Sequence, residues 1–329
     1  MLTRILVALL LGLAAGPADA APIEITSSPV DLYPDNPRRQ TIGKLRYMGG
    51  LVLRSPERRF GGLSALLVDG LRLTAVSDRG DLLRAAIELD GDGRLVGLRD
   101  GDLAPLRDGD DQRLLDKESS DAESLARGDG GALWVGFERN HRIMSFAPPA
   151  GTAPAAAAHG DLGPGRPVDA PRALALAPSN GGLETLTRLN DGRYLAIAER
   201  MAGTDGNAAW IGGGGQPWRP LAYAVSDNFF PTGAATLPGG DVLVLERFFT
   251  LVAGVAVRLR LLAAADLKPG AVLRGELLAE FAAPATVDNF EGVSVGRGPG
   301  GRVMVYIVSD DNFNVLQRTL LLAFTLVVD

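Results

Sequence analysis

Apolar residues fall in short runs of about five to eight, rich in Val, Leu and Ile and closed by Gly, Asp, Asn or Pro. Runs of that length and make-up predict β-strands. Sustained 3.6-residue periodicity is scarce. Leu261–Leu267 offers a helical turn or two before Lys268-Pro269-Gly270 ends it.

One unit recurs five times: a short start, a strand, a tight Asp/Gly turn, a second strand, and an acid–Arg or Ser-Asp ending. It runs from Ser64 to Asp78-Arg79, from Glu123 to Glu138-Arg139, and from Glu184 to Glu199-Arg200. It runs again from Thr232-Gly233-Ala234 to Glu246-Arg247, and from Glu291 to Asp310-Asp311. The copies begin 49 to 61 residues apart, whereas a four-stranded propeller blade needs roughly 40–50. Long loops are expected to fill the excess: Asp100–Asp121, Ala147–Pro178, and Met201–Pro220 with its Gly212–Gly215 run.

The pattern predicts an all-β chain, a β-propeller of five or six mostly four-stranded blades. Lys44–Arg54 is a strand without a hairpin of its own. It is expected to complete the last blade beside Thr319–Val328 and close the ring, which removes exposed sheet edges. A β-sandwich is the alternative, and would not need a recurrent hairpin with the same ending.

In an antiparallel hairpin the start of the first strand lies beside the end of the second. Glu123 should therefore neighbour Glu138-Arg139, Glu184 should neighbour Glu199-Arg200, and Glu291 should neighbour Asp310-Asp311. Blade symmetry would gather nine acids around the central channel: Asp78, Glu123, Glu138, Glu184, Glu199, Glu246, Glu291, Asp310 and Asp311. Arg79, Arg139, Arg200 and Arg247 would accompany them. Like charges that close take up protons or recruit a cation. Oxygen ligands without His or Cys favour Ca²⁺ or Mg²⁺ over zinc, and arginines in the same ring suit phosphate or carboxylate. The same Glu–Arg endings also serve as structural ion pairs between blades. Copies one and four differ, with Ser64 and Ala234 where the others carry Glu.

Composition narrows the chemistry. The chain has no cysteine and two histidines, His141 and His159. This excludes disulfide scaffolds, thiol nucleophiles and three-histidine metal sites. A net charge of −6 argues against nucleic acid, which needs a basic face. Arg4, the apolar run Ile5–Ala15, Gly16-Pro17 and Ala18-Asp19-Ala20 have the layout of a signal peptide. The run is shorter than the roughly 20 residues that span a bilayer. The expected organisation is a signal peptide over 1–20 cleaved after Ala20, an extension over 21–41, and one propeller domain over 42–329. The protein is expected in the periplasm or secreted, with no membrane span.

Several weaker motifs have bland explanations. Gly292-Val293-Ser294-Val295-Gly296 matches G-x-S-x-G, but its serine sits inside a predicted strand with no helix following. Asp90-Gly91-Asp92-Gly93 is expected to be a hairpin turn, not a calcium loop. Trp210 and Trp218 either floor a ligand site or pack the glycine run.

The ordered set Phe60-Gly61-Gly62-Leu63-Ser64, Ala75-Val76-Ser77-Asp78-Arg79-Gly80, Asp121-Ala122-Glu123, Phe137-Glu138-Arg139-Asn140-His141-Arg142-Ile143 and Gly182-Leu183-Glu184 resembles the phytase-like domain family. So do Asp288-Asn289-Phe290-Glu291-Gly292 and Ser309-Asp310-Asp311-Asn312-Phe313-Asn314 with Gln317-Arg318-Thr319. The resemblance implies an exported bacterial β-propeller with esterase-like activity of the phytase type. Established propeller phytases have six blades and use calcium to bind phytate and activate water. The expectation for this chain is a hydrolase of phosphate or other esters acting on a small anionic substrate. Ca²⁺ would lie among Glu123, Glu184, Glu291 and Asp310, with Glu138, Glu199 and His141 as proton-transfer groups. Arg79, Arg139, Arg200 and Arg247 would hold the substrate's anionic group. A non-catalytic binding propeller of the cell envelope is the alternative.

Overall fold

The structure, a computed structural model, describes residues 20–148 and 162–327. The expected signal peptide and His159 fall outside the described residues, Ala20 excepted.

Five mainly antiparallel sheets stand side by side. Their first strands are Leu63–Asp69, Ala122–Arg127, Thr185–Arg188, Phe230–Thr236 and Phe290–Arg297. Each packs on the first strand of the next sheet, and the fifth returns to the first. The result is a five-bladed propeller, and a sixth blade is absent among the described residues.

Blade 1 continues outward through Arg72–Ser77, Asp81–Leu89 and Leu95–Pro105. Blade 2 continues through Leu133–Phe137, Arg142–Phe146 and Arg166–Val168, and blade 4 through Val242–Thr250, Gly254–Leu262 and Glu276–Phe281. Blade 3 continues through Tyr194–Ala202, Asn207–Gly213 and Gln216–Tyr223, with Val272–Leu273 joining its edge in parallel. Two expected loops are thus largely strand. Met201–Pro220 holds parts of three strands, its glycine run forming the tight connection between the last two, and Leu95–Pro105 takes the beginning of Asp100–Asp121. The helical turn expected at Leu261–Leu267 is a 3-10 turn, Ala264–Asp266, following the strand.

The ring closes as expected. Leu45–Arg54 pairs with Thr319–Leu326 in blade 5, Leu51 opposite Leu321. The N-terminal segment adds a second fastening. Thr26–Pro29 extends blade 5 beside Leu45–Arg54, and Ala21–Ile23 extends blade 1 beside Leu95–Pro105. One segment therefore straps the two blades that meet at the closure.

The apolar runs lack polar alternation because both faces of each blade are buried. Five apolar clusters result, one between each pair of neighbouring blades. In blade 4, Leu243 and Leu245 face blade 5 while Val242 and Val244 face blade 3. In blade 5, Leu320, Leu322 and Phe324 face blade 4 while Leu321 and Ala323 face blade 1.

Candidate functional site

A repeated irregularity at the top of the first strands builds the site. In blade 1, Leu63 pairs with Ser77 and Ala65 with Val76, so Ser64 is an extra residue. The same β-bulge isolates Glu123 in blade 2, Thr232 in blade 4 and Glu291 in blade 5. In blade 3 the ladder ends at Thr185, and the Glu199 amide donates to Gly182 O at 2.9 Å, leaving Glu184 as the extra residue. A bulge re-aims a side chain out of the pleat's alternation. Here it creates one ring of positions: Ser64, Glu123, Glu184, Thr232, Glu291.

A second ring follows from the adjoining strands. The amides of Asp78, Glu138, Glu199 and Asp310 donate to Gly62, Asp121, Gly182 and Asn289, each two residues before the bulge. In blade 4 the residue opposite Phe230, two before Thr232, is Arg247. The Glu246-Arg247 ending is therefore offset by one residue from the other copies. Two expectations are corrected by that offset. Thr232, not Ala234, takes the place of the leading Glu. Glu246 is not a channel acid; it shares the face of Val242 and Val244 toward blade 3, where it accepts from Tyr223 Oη at 2.9 Å and Arg260 Nε at 2.8 Å. Asp311 also leaves the channel set. Its Oδ1 accepts from the Gly62 and Phe313 amides and its Oδ2 from Thr319 Oγ1, so it fixes a turn.

Glu123, Glu184, Glu291 and Asp310 do come together. Burial first, then facing Glu184, Glu291 and Asp121, pushes the Glu123 carboxyl well above the ordinary carboxylate range. Glu184 is raised in the same way, by burial and by Glu199, Glu138 and Glu291. Burial raises Glu291 despite the opposing Arg247 charge. Asp310 is pushed up to about 9 by burial and Glu291, while its Oδ1 accepts from the Asn312 amide at 2.6 Å.

Glu138 is held differently. Its Oε1 accepts from the Gly181 amide at 2.7 Å and from the Gly182 amide. Burial raises its pKa to about 7, although these two donors favour the charged form. Gly181 has φ +109°, a conformation that a side chain would strain. His141 lies against Gly182, donates from Nε2 to Pro178 O at 2.9 Å, and leaves Nδ1 buried without a partner. Asp121, Glu123 and Glu138 offer carboxylate oxygens within 4.8 Å of one another. Asp121 is the acid that sequence reasoning missed as a site residue. The signal was its place two residues before the bulge, opposite Glu138.

The arginines do not converge as a set. Arg247 alone enters the acid cluster, bonding Glu291 and Asn289, with Nη2 3.5 Å from Glu199 Oε1. Arg139 turns to Asp121 at 2.7 Å. Arg200 binds Glu199 at 3.0 Å and covers the Phe230 ring. Arg79 lies on the Phe313 ring, 3.3 Å from its centroid. Lys117, which the sequence did not single out, spans Asp78 at 2.8 Å and Asp121 at 2.5 Å.

A family model described as phytase-like, esterase-like activity of phytase, matches residues 58–313. The chain belongs to the phytase-like family. No curated protein matches it. Among solved structures, a catalytically inactive virginiamycin B lyase from Staphylococcus aureus is 10% identical, with 92% of this chain and all of that chain covered and a TM-score of 0.42. A gluconolactonase from Xanthomonas campestris is 11% identical, covering 94% and 99%, with a TM-score of 0.40. An α-L-arabinofuranosidase from Podospora anserina is 8% identical, covering 86% and 97%, with a TM-score of 0.46. Among the described residues of this phytase-like chain, no helix is long and apolar enough to cross a membrane.

The remaining sequence motifs resolve into packing. Ser294 is buried inside its strand and its Oγ accepts from the Val68 amide at 2.8 Å. Asp90 Oδ1 caps its hairpin through the Asp92 and Arg94 amides. Trp210 packs between blades 2 and 3, and Trp218 donates to Asp169 O at 3.0 Å while lying against Gly213.

Proposed function

We propose that the protein hydrolyses an ester at the acidic end of the propeller channel, with a divalent cation among Glu123, Glu184, Glu291 and Asp310 and with Asp121 beside them. The observation that carries this reading is the bulge that recurs in every blade and aims Glu in three of them toward one buried group. A purely architectural ring has no need to bury mutually repelling carboxylates against one arginine.

The donor set fits calcium or magnesium. Every donor is a carboxylate oxygen. Among the described residues no Lys or Arg lies within salt-bridge distance of Glu123 or Glu184. Asp78 Oδ1 is buried without a hydrogen-bond partner on the same face. Bound there, the cation supplies Lewis-acid polarisation of the ester and a lowered pKa for water.

The chain's own groups supply the rest. Glu138, balanced near neutrality, takes a proton from the water that attacks the ester centre; the bond to the leaving oxygen breaks, and the proton passes to that oxygen. The Gly181 and Gly182 amides hold Glu138 in place for this. Arg247 bonds Glu291 and lies beside Glu199, its charge opposing the burial that raises the Glu291 carboxyl. His141 buttresses the Gly181–Gly182 turn and acts through it.

The test is turnover of an ester panel, containing phytate, an aryl phosphate and an aryl carboxylate, with and without chelator. Cation-dependent release that falls at least about 100-fold in Glu138→Gln supports the reading. Ligand retention without turnover of any ester would replace it with a binding propeller.

A further inference from the structure

Beside the acid cluster lies a cavity of about 840 Å³, whose walls include Arg200, Arg247 and Asn289 from the channel side. Its outer wall is apolar. The Val242–Thr250 and Gly254–Leu262 hairpin contributes Phe248, Phe249 and Val255, and the turn before Thr319 contributes Leu316. Phe249 is 63% exposed and Leu316 is 88% exposed. Large apolar side chains left open to water at the rim of a concave site mark ligand contact. Asn228, Asn312, Asn314 and Gln317 add neutral amides to the lining, and Asp288, paired with Arg318, adds a carboxylate.

The charges of this wall disfavour one substrate class. Only Arg200 and Arg247 are basic among its lining residues. Each has a carboxylate partner, Arg200 with Glu199 through Nε and Arg247 with Glu291 and Glu199. A polyanion gains little from a wall whose two arginines already have carboxylate partners and which adds the Asp288 carboxylate. Like-charge juxtaposition costs affinity. Amide groups serve a neutral ligand, offering both donors and acceptors.

We infer that the substrate is an uncharged carboxylic ester whose apolar acyl or aryl part lies between Phe249 and Leu316, not a phosphate polyanion. This rests on the hydrolase reading for its reaction but on the cleft alone for its binding. The reaction keeps the balance given above: water adds to the carbonyl carbon, the acyl–oxygen bond breaks, and the alkoxide leaves as the alcohol.

Butyranilide serves as the neutral, slowly hydrolysed probe and phenyl phosphate as the anionic one. Both are titrated into the full chain by calorimetry with Ca²⁺ present. The same chain is assayed on 4-nitrophenyl butyrate and 4-nitrophenyl phosphate. Phe249→Ser and Leu316→Ser alter exposed side chains, and Leu277→Ser, at 43% exposure on blade 4, is the control. The expected result is that butyranilide binds more tightly than phenyl phosphate. Each cleft variant should raise its Kd about tenfold, the effect of losing a few apolar contacts, and the control should leave it unchanged. Equal or tighter binding of phenyl phosphate, or butyranilide binding indifferent to both variants, overturns the inference even if esters are hydrolysed. Cleft-dependent butyranilide binding with no ester turned over upholds the subsite and removes the hydrolase reading instead.

Discussion

Arg247 of blade 4 occupies the position that Glu199 holds in blade 3, and the two meet, Nη2 lying 3.5 Å from Oε1. A one-residue offset in a single blade thus places one cation inside a ring of acids. Burial works against the Arg247 charge; Glu291, Glu184 and Glu199 outweigh it and hold the guanidinium protonated. Arg247→Met should leave these carboxylates uncompensated and cost about 3–5 kcal/mol. The check is the denaturation midpoint at pH 7. A variant as stable as the parent would mean that the neighbouring acids are neutral without Arg247.

The acids themselves set a pH dependence. Glu138 is raised to about 7 and Asp310 to about 9. Raised carboxyl pKa values mean that the folded state binds more protons than the unfolded chain. Their contribution to stability is full below about pH 4 and is lost as pH rises through 7 and then 9. The chelated protein should therefore melt at a lower temperature at pH 9 than at pH 5. Ca²⁺ should flatten that slope, because it replaces the protons. Melting curves across pH, with chelator and with calcium, read both effects.

Much of this was legible in the sequence. The Glu–Arg and Ser-Asp endings marked the hairpins, and the unpartnered strand before Arg54 marked the closure. The pairing of Glu123 with Glu138 and of Glu291 with Asp310 followed from hairpin geometry. What the sequence hid was hydrogen-bond register. Glu246-Arg247 reads like Glu138-Arg139, but the bulge at Thr232 shifts it, and a one-residue shift exchanges faces. The Gly212–Gly215 run reads as loop because glycine marks flexibility, yet its positive φ angles make a tight hairpin. The arginines were expected to converge on substrate; ring faces and carboxylates claimed Arg79, Arg139 and Arg200.

Ring closure has two fastenings, and the pairing of Leu45–Arg54 with Thr319–Leu326 is the inner one. Leu51, opposite Leu321, is 1% exposed. Leu51→Ala should cost about 2–5 kcal/mol as a cavity in the closing blade. Chemical denaturation measures it, and a loss below about 0.5 kcal/mol, the range of surface changes, would mean that the strap over Ala21–Pro29 carries the closure instead.

Ser294 separates two chemistries. Ser294→Ala removes the acceptor of the Val68 amide and should cost about 1–3 kcal/mol of stability, while turnover per folded molecule stays unchanged. Loss of turnover with stability intact would restore the serine-hydrolase motif.

In the proposed reading Glu123, Glu184, Glu291 and Asp310 form one cation site. The most direct measurement is calorimetric titration of Ca²⁺ into the chelator-stripped chain at pH 7, in two buffers of different ionisation heat. The account predicts binding with proton release, since Glu138 and Asp310 are partly or wholly protonated beforehand. It predicts at least a tenfold weaker affinity in Glu184→Gln. Absent binding, or binding that Glu184→Gln and Glu123→Gln both leave unchanged, would contradict it.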